Sequence, residues 1–344
     1  MRLLFLSPPA SARAAAFSSL FLVTLFAGCG GGQNSVGPGL PPNKPQYVKT
    51  IPAVGQTSFP VAADAAANLV AVANQGNGSV SFISGSSNSI TSTLAVGAAP
   101  TSVAFNTTTG YCYVVNSQSN TLTVLNPATG ATVATVSVGQ GPVSVSVDST
   151  ANMIYVANST DDSISVVSGN SNAVVNTIAL PIRPNAVKIN PGTGMLYVAS
   201  GKDNATAIVN AATGAVVQTI GSGVDSLGSP LTPVALGIDT SSNSIYVVNR
   251  ANTVLVINGS TNKITATVPV GSLPSGIAVD SAGGAVYVLN SGDSTVSVIK
   301  ASGNTVSSTL PVAVNSYGIA LDAAAKQLYI TSGSSIGVAA APGA

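Results

Sequence analysis

The sequence predicts an all-β chain folded as a seven-bladed β-propeller, with four antiparallel strands in each blade. Three observations predict this fold: a Tyr-Val-x-Asn motif recurs along the chain, two further motifs recur in step with it, and each interval holds four strand-like runs. The Tyr position of the first motif is occupied by Ala71, Tyr113, Tyr155, Tyr197, Tyr246, Tyr287 and Tyr329. Successive copies are 42, 42, 42, 49, 41 and 42 residues apart.

The two further motifs also occur seven times each. An Asp or Asn closes a short apolar run at Asp64, Asn106, Asp148, Asn190, Asp239, Asp280 and Asp322. A Thr followed by an aliphatic residue stands at Thr50, Thr93, Thr135, Thr177, Thr219, Thr267 and Thr309. Because each Asp or Asn precedes a short turn, we expect its side chain to cap its own backbone and not to form a ring of calcium ligands. The Asn of the Tyr-Val-x-Asn motif, which opens the next loop, is given the same explanation.

The sixth unit illustrates the four strands. Its strand-like runs are 275–280, 285–290, 295–300 and 307–312. Gly- and Asn-containing turns separate them, as short hairpins require. The third run alternates polar and apolar residues, which is typical of a strand with two unlike faces. No amphipathic helix longer than two turns follows Cys29.

The two ends of the repeat region predict how the ring closes. The first Thr motif precedes the first complete unit, and the last unit ends without one. Residues 47–54 are therefore expected to supply the fourth, outer strand of the last blade, which removes two free sheet edges. Pro52, Pro269 and Pro311 all fall in this fourth strand, where an outer edge tolerates a missing N–H. The propeller is predicted to span residues 47–344.

Residues 1–28 are predicted to be a bacterial lipoprotein signal peptide. Arg2 and Arg13 supply positive charge, and the apolar run 14–27 is too short for a membrane span. Small residues before Cys29 resemble the lipobox, whose Cys carries lipid after cleavage; an ordinary cleavable signal with an incidental Cys is the alternative. Residues 29–46, rich in Gly and Pro, are expected to be a flexible tether.

This leader predicts a lipid-anchored protein of the cell envelope, on the periplasmic side of an outer membrane or on the cell surface. Its membrane contact would be the lipid on Cys29. The second cysteine, Cys112, then has no partner for a disulfide, so we expect a buried, unreactive thiol. The leaflet and the oligomeric state are left open.

The repeat units resemble the YVTN-family β-propeller repeat across residues 47–344. Residues 246–249 supply its Tyr-Val-x-Asn run, and residues 267–271 and 274–280 resemble its Thr-Val-Pro-Val-Gly and Pro-x-Gly-Ile-Ala-Val-Asp runs. The chain departs from the pattern where Ala71 replaces Tyr and where Ser200 and Ser332 replace Asn. The resemblance implies the fold strongly and the function weakly, since members are mostly surface or periplasmic proteins, some of them DNA binders or surface-layer components.

Missing residue types exclude several chemistries. The chain has no His, Glu or Trp. Ser-His-Asp and Cys-His nucleophile systems and His-based metal sites are therefore impossible. The sequence predicts no catalytic residue, no metal site and no cofactor. The net charge is +1, and −1 once Arg2 and Arg13 are removed with the leader, which argues against nucleic acid as a partner.

The candidate binding site is a set of charged loop residues. In a propeller, the loops from strand two to strand three share one face with the loops from strand four to the next blade. The lengthened loop of the 49-residue unit, 221–231, belongs to this face. The charged residues assigned to it are Asp161, Asp162, Arg183, Lys202, Asp203, Asp225, Arg250 and Asp293. A charge cluster with a lengthened loop is typical of a binding site on a repeated scaffold, although loops also carry charges that strands cannot.

The functional hypothesis is a non-catalytic binding or scaffold module whose loop face, over blades 3–6, contacts a protein, a glycan or a small polar ligand. One alternative is a hydrolase or lactonase-like enzyme with an Asp/Arg/Lys centre at the channel mouth. A second is a nucleic-acid-binding or surface-layer component. Convergence of Arg183, Lys202, Asp203 and Arg250 on a pocket would favour a ligand site, and scattering of the eight charges over both faces would exclude one.

Overall fold

The computed structural model describes residues 47–52, 58–333 and 335–343. Within them, 28 strands form seven separate sheets of four antiparallel strands, arranged in a ring. The predicted all-β, seven-bladed β-propeller is therefore confirmed. The predicted signal peptide 1–28, the lipidation site Cys29 and the tether 29–46 lie outside the described residues. In the part of the chain that the structure describes, no helix is both long and apolar enough to cross a bilayer.

The strands are numbered in chain order. Blade 1 consists of β2 (Ser58–Asp64), β3 (Leu69–Asn74), β4 (Ser79–Ser84) and β5 (Ser89–Ala95). Blade 2 consists of β6 (Pro100–Asn106), β7 (Tyr111–Asn116), β8 (Thr121–Asn126) and β9 (Ala131–Ser137). Blade 3 consists of β10 (Pro142–Asp148), β11 (Met153–Asn158), β12 (Ser163–Ser168) and β13 (Ala173–Ala179). Blade 4 consists of β14 (Ala186–Asn190), β15 (Met195–Ser200), β16 (Ala205–Asn210) and β17 (Val216–Gly221). Blade 5 consists of β18 (Pro233–Asp239), β19 (Ser244–Asn249), β20 (Thr253–Asn258) and β21 (Lys263–Pro269). Blade 6 consists of β22 (Pro274–Asp280), β23 (Ala285–Asn290), β24 (Thr295–Lys300) and β25 (Thr305–Pro311). Blade 7 consists of β26 (Ser316–Asp322), β27 (Gln327–Ser332), β28 (Ser335–Ala340) and β1 (Lys49–Pro52). A short 3₁₀ turn, Gln75–Asn77, follows β3.

The ring closes as predicted, because β1 pairs with β28 and completes blade 7. The backbone N–H of Val48 donates to the carbonyl of Val338 at 2.7 Å, and the Tyr47 hydroxyl accepts a hydrogen bond from the Ala313 N–H at 2.8 Å. The Tyr47 ring lies directly on Gly337, where any Cβ would collide with it. Glycine at position 337 therefore lets the N-terminal segment pack against the last blade.

Over the described residues, the core consists of seven apolar clusters, one between each pair of neighbouring blades. The cluster between blades 2 and 3 joins Tyr113 to Val145 and Ile154, and the cluster between blades 7 and 1 joins Tyr329 to Val70. The Tyr of each repeat motif is thus buried between blades, where its large apolar area is removed from water.

Blade 1 lacks this tyrosine and replaces its volume from the neighbouring strand. Ala71 pairs directly with Phe82 on β4, and in every other blade the Tyr pairs with Val or Ile. Phe82 also contacts Phe105 of blade 2, with ring centroids 6.4 Å apart and planes tilted by 58°. In blade 1 the large residue of the pair therefore lies on the third strand and the small residue on the second, the reverse of the other blades. The interface between the blades stays filled.

The recurring Asp or Asn caps its own turn, as predicted. Asp64 Oδ1 accepts hydrogen bonds from the N–H groups of Ala66 and Ala67, each at 3.1 Å. The same pattern of bonds to a residue two or three positions later is made by Asn106, Asp148, Asn190, Asp239, Asp280 and Asp322. These seven residues therefore stabilise the first turn of each blade.

The Asn of Tyr-Val-x-Asn has a different role from the one predicted. Asn116 Nδ2 donates to the hydroxyls of Thr121 and Thr123, at 3.1 and 2.9 Å, and so joins the second strand to the third. Asn74, Asn158 and Asn290 make equivalent bonds. The side chain of this Asn is buried and bonds the second strand to the third, so it bridges two strands instead of capping its own turn.

Cys112 is a free, completely buried cysteine on β7, as predicted. Burial raises the pKa of its thiol. It therefore stays protonated and packs as a small apolar residue.

Candidate functional site

The loops from strand two to strand three and the loops from strand four to the next blade lie on one face, here called the loop face. Hydrogen bonds join the two kinds of loop: the Arg183 N–H donates to Asp203 Oδ2 at 2.7 Å, and Asn204 Nδ2 donates to the carbonyl of Gly223 at 2.7 Å. All eight charged residues singled out in the sequence lie in these loops: Asp161, Asp162, Arg183, Lys202, Asp203, Asp225, Arg250 and Asp293. The structure thus places them on one face and not on both.

Most of the carboxylates in this set hold loops together. Asp161 accepts the N–H of Gln140 at 2.6 Å, and Asp293 accepts the N–H of Ser272 at 2.8 Å. Asp203 makes the equivalent bond to Arg183, so the arrangement repeats in blades 3, 4 and 6. The aspartates at these three positions are part of the scaffold.

The remaining two aspartates act within their own loops. Asp225 Oδ1 accepts the N–H groups of Leu227 and Ser229, at 2.9 and 2.8 Å, and so shapes the lengthened loop. Asp162 has a positive φ of 46°, and its backbone carbonyl accepts the N–H of Leu180 at 2.8 Å. None of these contacts points to a carboxylate cluster for a cation. Among the described residues, no group of three or more His, Cys, Asp or Glu is suited to holding a metal ion.

Asp203 is held in its ionised form. The Ser200 hydroxyl donates to Asp203 Oδ2 at 2.7 Å. This hydrogen bond, then the backbone N–H of Arg183, and more weakly the charges of Lys202 and Arg183, hold the pKa of Asp203 below its usual range. A carboxylate with a lowered pKa is a weak base near neutral pH.

The three basic residues of the set line a common cavity, and none of its five aspartates does. Arg183, Lys202 and Arg250 line one cavity of about 460 Å³ on the loop face, bordered by blades 3, 4 and 5. They come from three loops, which follow β13, β15 and β19. The rest of the wall includes the apolar residues Pro184, Pro233 and Val234. We call this cavity the cationic pocket.

The charges of the cationic pocket are available to a ligand. Over residues 47–52, 58–333 and 335–343, the one ion pair joins Lys326 to Asp280 at 2.8 Å, at the turns of the opposite face. Arg183 binds Asp203 through its backbone N–H, which leaves the guanidinium donors free of that contact. An Arg guanidinium presents a planar fork of donors that matches carboxylate, sulfate or phosphate oxygens.

The lengthened loop ends beside the cationic pocket. Thr232, directly after this loop, lines the pocket, and its N–H donates to Asn204 Oδ1 at 3.0 Å. Leu231 beside it is buried in the core between blades 4 and 5. The pocket is therefore lined by the residues that follow the lengthened loop and not by residues 221–231.

One charged residue outside the predicted set faces the central channel. Lys188, on the inner strand of blade 4, lines two cavities of about 390 and 300 Å³ that follow the central channel. An alignment of the seven inner strands distinguishes Lys188, because the equivalent positions of the other six blades all hold small residues. These are Ala62, Ala104, Ser146, Gly237, Ala278 and Ala320, each paired like Lys188 with the Tyr position of its blade.

Comparisons with known proteins support the fold alone. No protein-family model matches the chain, and no curated protein is similar to it in sequence. Among solved structures, the chain is similar to a chain of Kuenenia stuttgartiensis hydrazine synthase, with a TM-score of 0.70 and 17% sequence identity. The match covers 80% of this chain and 92% of that one. Propellers of one shape carry many unrelated functions, so the likeness assigns none here.

Proposed function

We propose that this protein is a non-catalytic binding module that takes up a small polar anion in the cationic pocket of its loop face. The observation that carries the proposal is that Arg183, Lys202 and Arg250 line one cavity of about 460 Å³. This volume lies within the range of ordinary ligand sites. Three cations suit a ligand with two or more carboxylate, sulfate or phosphate groups.

The state of Asp203 favours binding over acid–base catalysis. Its carboxylate is already engaged by the Ser200 hydroxyl and the Arg183 N–H, and its pKa lies below the usual range. An Asp/Arg/Lys catalytic centre would need a carboxylate free to accept and return a proton near neutral pH. The residues that line the pocket instead carry guanidinium and ammonium groups, which suit the binding of an anion.

We also propose that the chain is a lipid-anchored envelope protein of the YVTN repeat type. The sevenfold Tyr-Val-x-Asn pattern and the lipobox-like residues before Cys29 support this assignment. The protein made in a bacterium fed labelled palmitate should carry the label, and a Cys29→Ser variant should not. Equal labelling of the two proteins would contradict lipidation at Cys29.

The binding proposal is tested by calorimetric titration of the full chain, in detergent, with citrate, succinate, a sulfated disaccharide and the neutral polyol glycerol. The acidic probes are expected to bind and glycerol is not. An Arg183→Ala/Arg250→Ala variant should weaken the tightest acidic probe roughly 100-fold, because two charge-assisted contacts are lost.

The matched control removes two positive charges elsewhere. Lys263 and Lys300 are exposed and lie at the third-to-fourth turns, on the face opposite the loop face. A Lys263→Ala/Lys300→Ala variant has the same net charge as the double arginine variant and should bind like the unaltered protein. Equal loss in both variants would assign the effect to net charge and reject the pocket.

A further inference from the structure

The central channel contains one charged side chain among the described residues that line it, and that side chain is Lys188. The cavity on the loop-face side, about 300 Å³, is lined by the first halves of the inner strands; the other, about 390 Å³, is lined by their second halves. Lys188 lines both cavities, so it lies where they meet. The residues lining both cavities also include Val61, Val103, Leu236, Ile277 and Ile319.

The channel has room at the level of Lys188. The equivalent positions of the other six blades hold Ala, Ser or Gly, none of which extends beyond a γ atom. Seven long side chains at this level would fill the channel, whereas one lysine among six small residues leaves space beside its ammonium group. Lys188 is exposed to the channel, and the inner strands around the channel hold its ammonium group away from bulk solvent.

The ammonium group of Lys188 has no counter-charge among the described residues. Within the described residues, it makes no hydrogen bond or ion pair, since the one ion pair is Lys326–Asp280. Burial lowers the pKa of Lys188, the direction expected when an ammonium group loses water and gains no carboxylate. A cation in this position is stabilised by an anion that enters from solution.

Two serines of the neighbouring blade supply hydrogen-bond donors near the same level. Ser144 Oγ accepts the N–H of Val187 at 3.2 Å, and Ser146 Oγ accepts the N–H of Ile189 at 3.1 Å. These two backbone groups flank Lys188 in the sequence. Because each serine oxygen is the acceptor in these bonds, its own O–H remains available as a donor. Ser144 lines the loop-face cavity and Ser146 lines the other.

We propose that Lys188, with Ser144 and Ser146, forms a second binding site inside the channel, which takes a small aliphatic monocarboxylate. One ammonium group matches one negative charge. The two hydroxyls complement the remaining lone pairs of the carboxylate. The aliphatic side chains of Leu236, Ile277 and Ile319 line the same junction and suit a short alkyl chain. This site is separate from the cationic pocket, whose cations lie in the loops.

The test is calorimetric titration of the full-chain protein, in detergent, with sodium butyrate and with butyramide, its uncharged counterpart. Butyrate is expected to bind and butyramide to bind at least roughly tenfold more weakly, because only the anion pairs with the ammonium group. Lys188→Met keeps a long unbranched side chain and removes its charge, and should weaken butyrate binding to the level of butyramide. Lys263→Met removes one exposed positive charge from the face opposite the loop face and should leave butyrate binding unchanged, so a loss confined to Lys188→Met is assigned to the channel.

A second measurement uses the unaltered protein and does not depend on whether a variant folds. Reductive methylation with formaldehyde and cyanoborohydride, followed by mass spectrometry, reports how accessible each lysine is. Butyrate should slow the modification of Lys188 at least severalfold and leave exposed Lys263 unchanged, because the bound anion covers Lys188 and favours its protonated form. Equal binding of butyrate and butyramide, unaltered binding by folded Lys188→Met, or no protection of Lys188 would each overturn the proposal.

Discussion

At the scale of single residues, each repeat position has one physical task, and departures from the pattern are compensated nearby. Ala71 departs from the Tyr of the motif, and the sequence marks it as a weak copy of the pattern. In the structure, Phe82 on the paired strand fills the space, with an exposed fraction of 1%. A one-dimensional repeat alignment compares columns one at a time, so it cannot reveal an exchange of volume between two strands.

This exchange predicts coupled stabilities at the interface between blades 1 and 2. Phe82→Val should lower the free energy of unfolding by about 2–4 kcal/mol, because it leaves a cavity beside Ala71. Ala71→Tyr alone should destabilise by about 1–3 kcal/mol through overpacking. The double variant, which recreates the Tyr–Val pair of the other blades, should recover most of both losses in urea denaturation. Losses that simply add in the double variant would contradict the exchange.

At the scale of the strand, the sequence predicted type, order and count because each strand must bury one repeated set of apolar residues. The N-terminal strand was predicted over 47–54 and is observed as β1, Lys49–Pro52. Residues 53–57 fall outside the described part of the chain. What the repeat could not predict is the contact of the Tyr47 ring with Gly337, because the two residues are far apart in sequence and belong to no shared motif.

The closing strand is predicted to be a major source of stability for blade 7. Ile51 has an exposed fraction of 4% and packs with Tyr329 and Val338. A chain lacking residues 1–52 should therefore lose at least about 2 kcal/mol of unfolding free energy relative to a chain lacking residues 1–46. Urea denaturation of the two truncated proteins measures the difference. Equal midpoints and slopes would mean that β1 does not secure the ring.

At the scale of the whole molecule, few charges control the response of the fold to pH. Burial of Asp280 opposes its ionisation, but hydrogen bonds from Lys326 and Gly283 outweigh burial and hold the pKa of Asp280 below its usual range. A carboxyl whose pKa is lowered by folding stabilises the protein above its unfolded pKa. That stability is lost as the pH falls through the lowered, folded pKa.

This linkage predicts the behaviour of Lys326→Met. At pH 7 the variant should lose about 1 kcal/mol of unfolding free energy, a modest value because Lys326 is 56% exposed. The difference from the unaltered protein should shrink as the pH is lowered below about 4, since Asp280 then becomes protonated in the unfolded chain and later in the folded one. Urea denaturation across this pH range checks it. Lys300 is exposed and outside any described ion pair, so Lys300→Met should change the unfolding free energy little at either end of the pH range. A stability difference for Lys326→Met that grows as the pH is lowered would contradict the account.

The candidate site was only partly predictable from the sequence. Repeat topology placed all eight loop charges on one face, because alternate loops of an antiparallel sheet must emerge on the same side. It could not separate Asp161, Asp203 and Asp293, which bind neighbouring loops, from Arg183, Lys202 and Arg250, which line the cationic pocket. That distinction depends on contacts between loops that share no sequence pattern.

The central claim is that the cationic pocket binds a small polar anion. The most direct test is a crystal structure of the protein with the acidic probe that binds most tightly in calorimetry. We predict that the acidic groups of the probe lie between Arg183, Lys202 and Arg250, within hydrogen-bonding distance of at least two of them. An empty cationic pocket, with the probe bound on the opposite face or the outer rim of the blades, would contradict the claim.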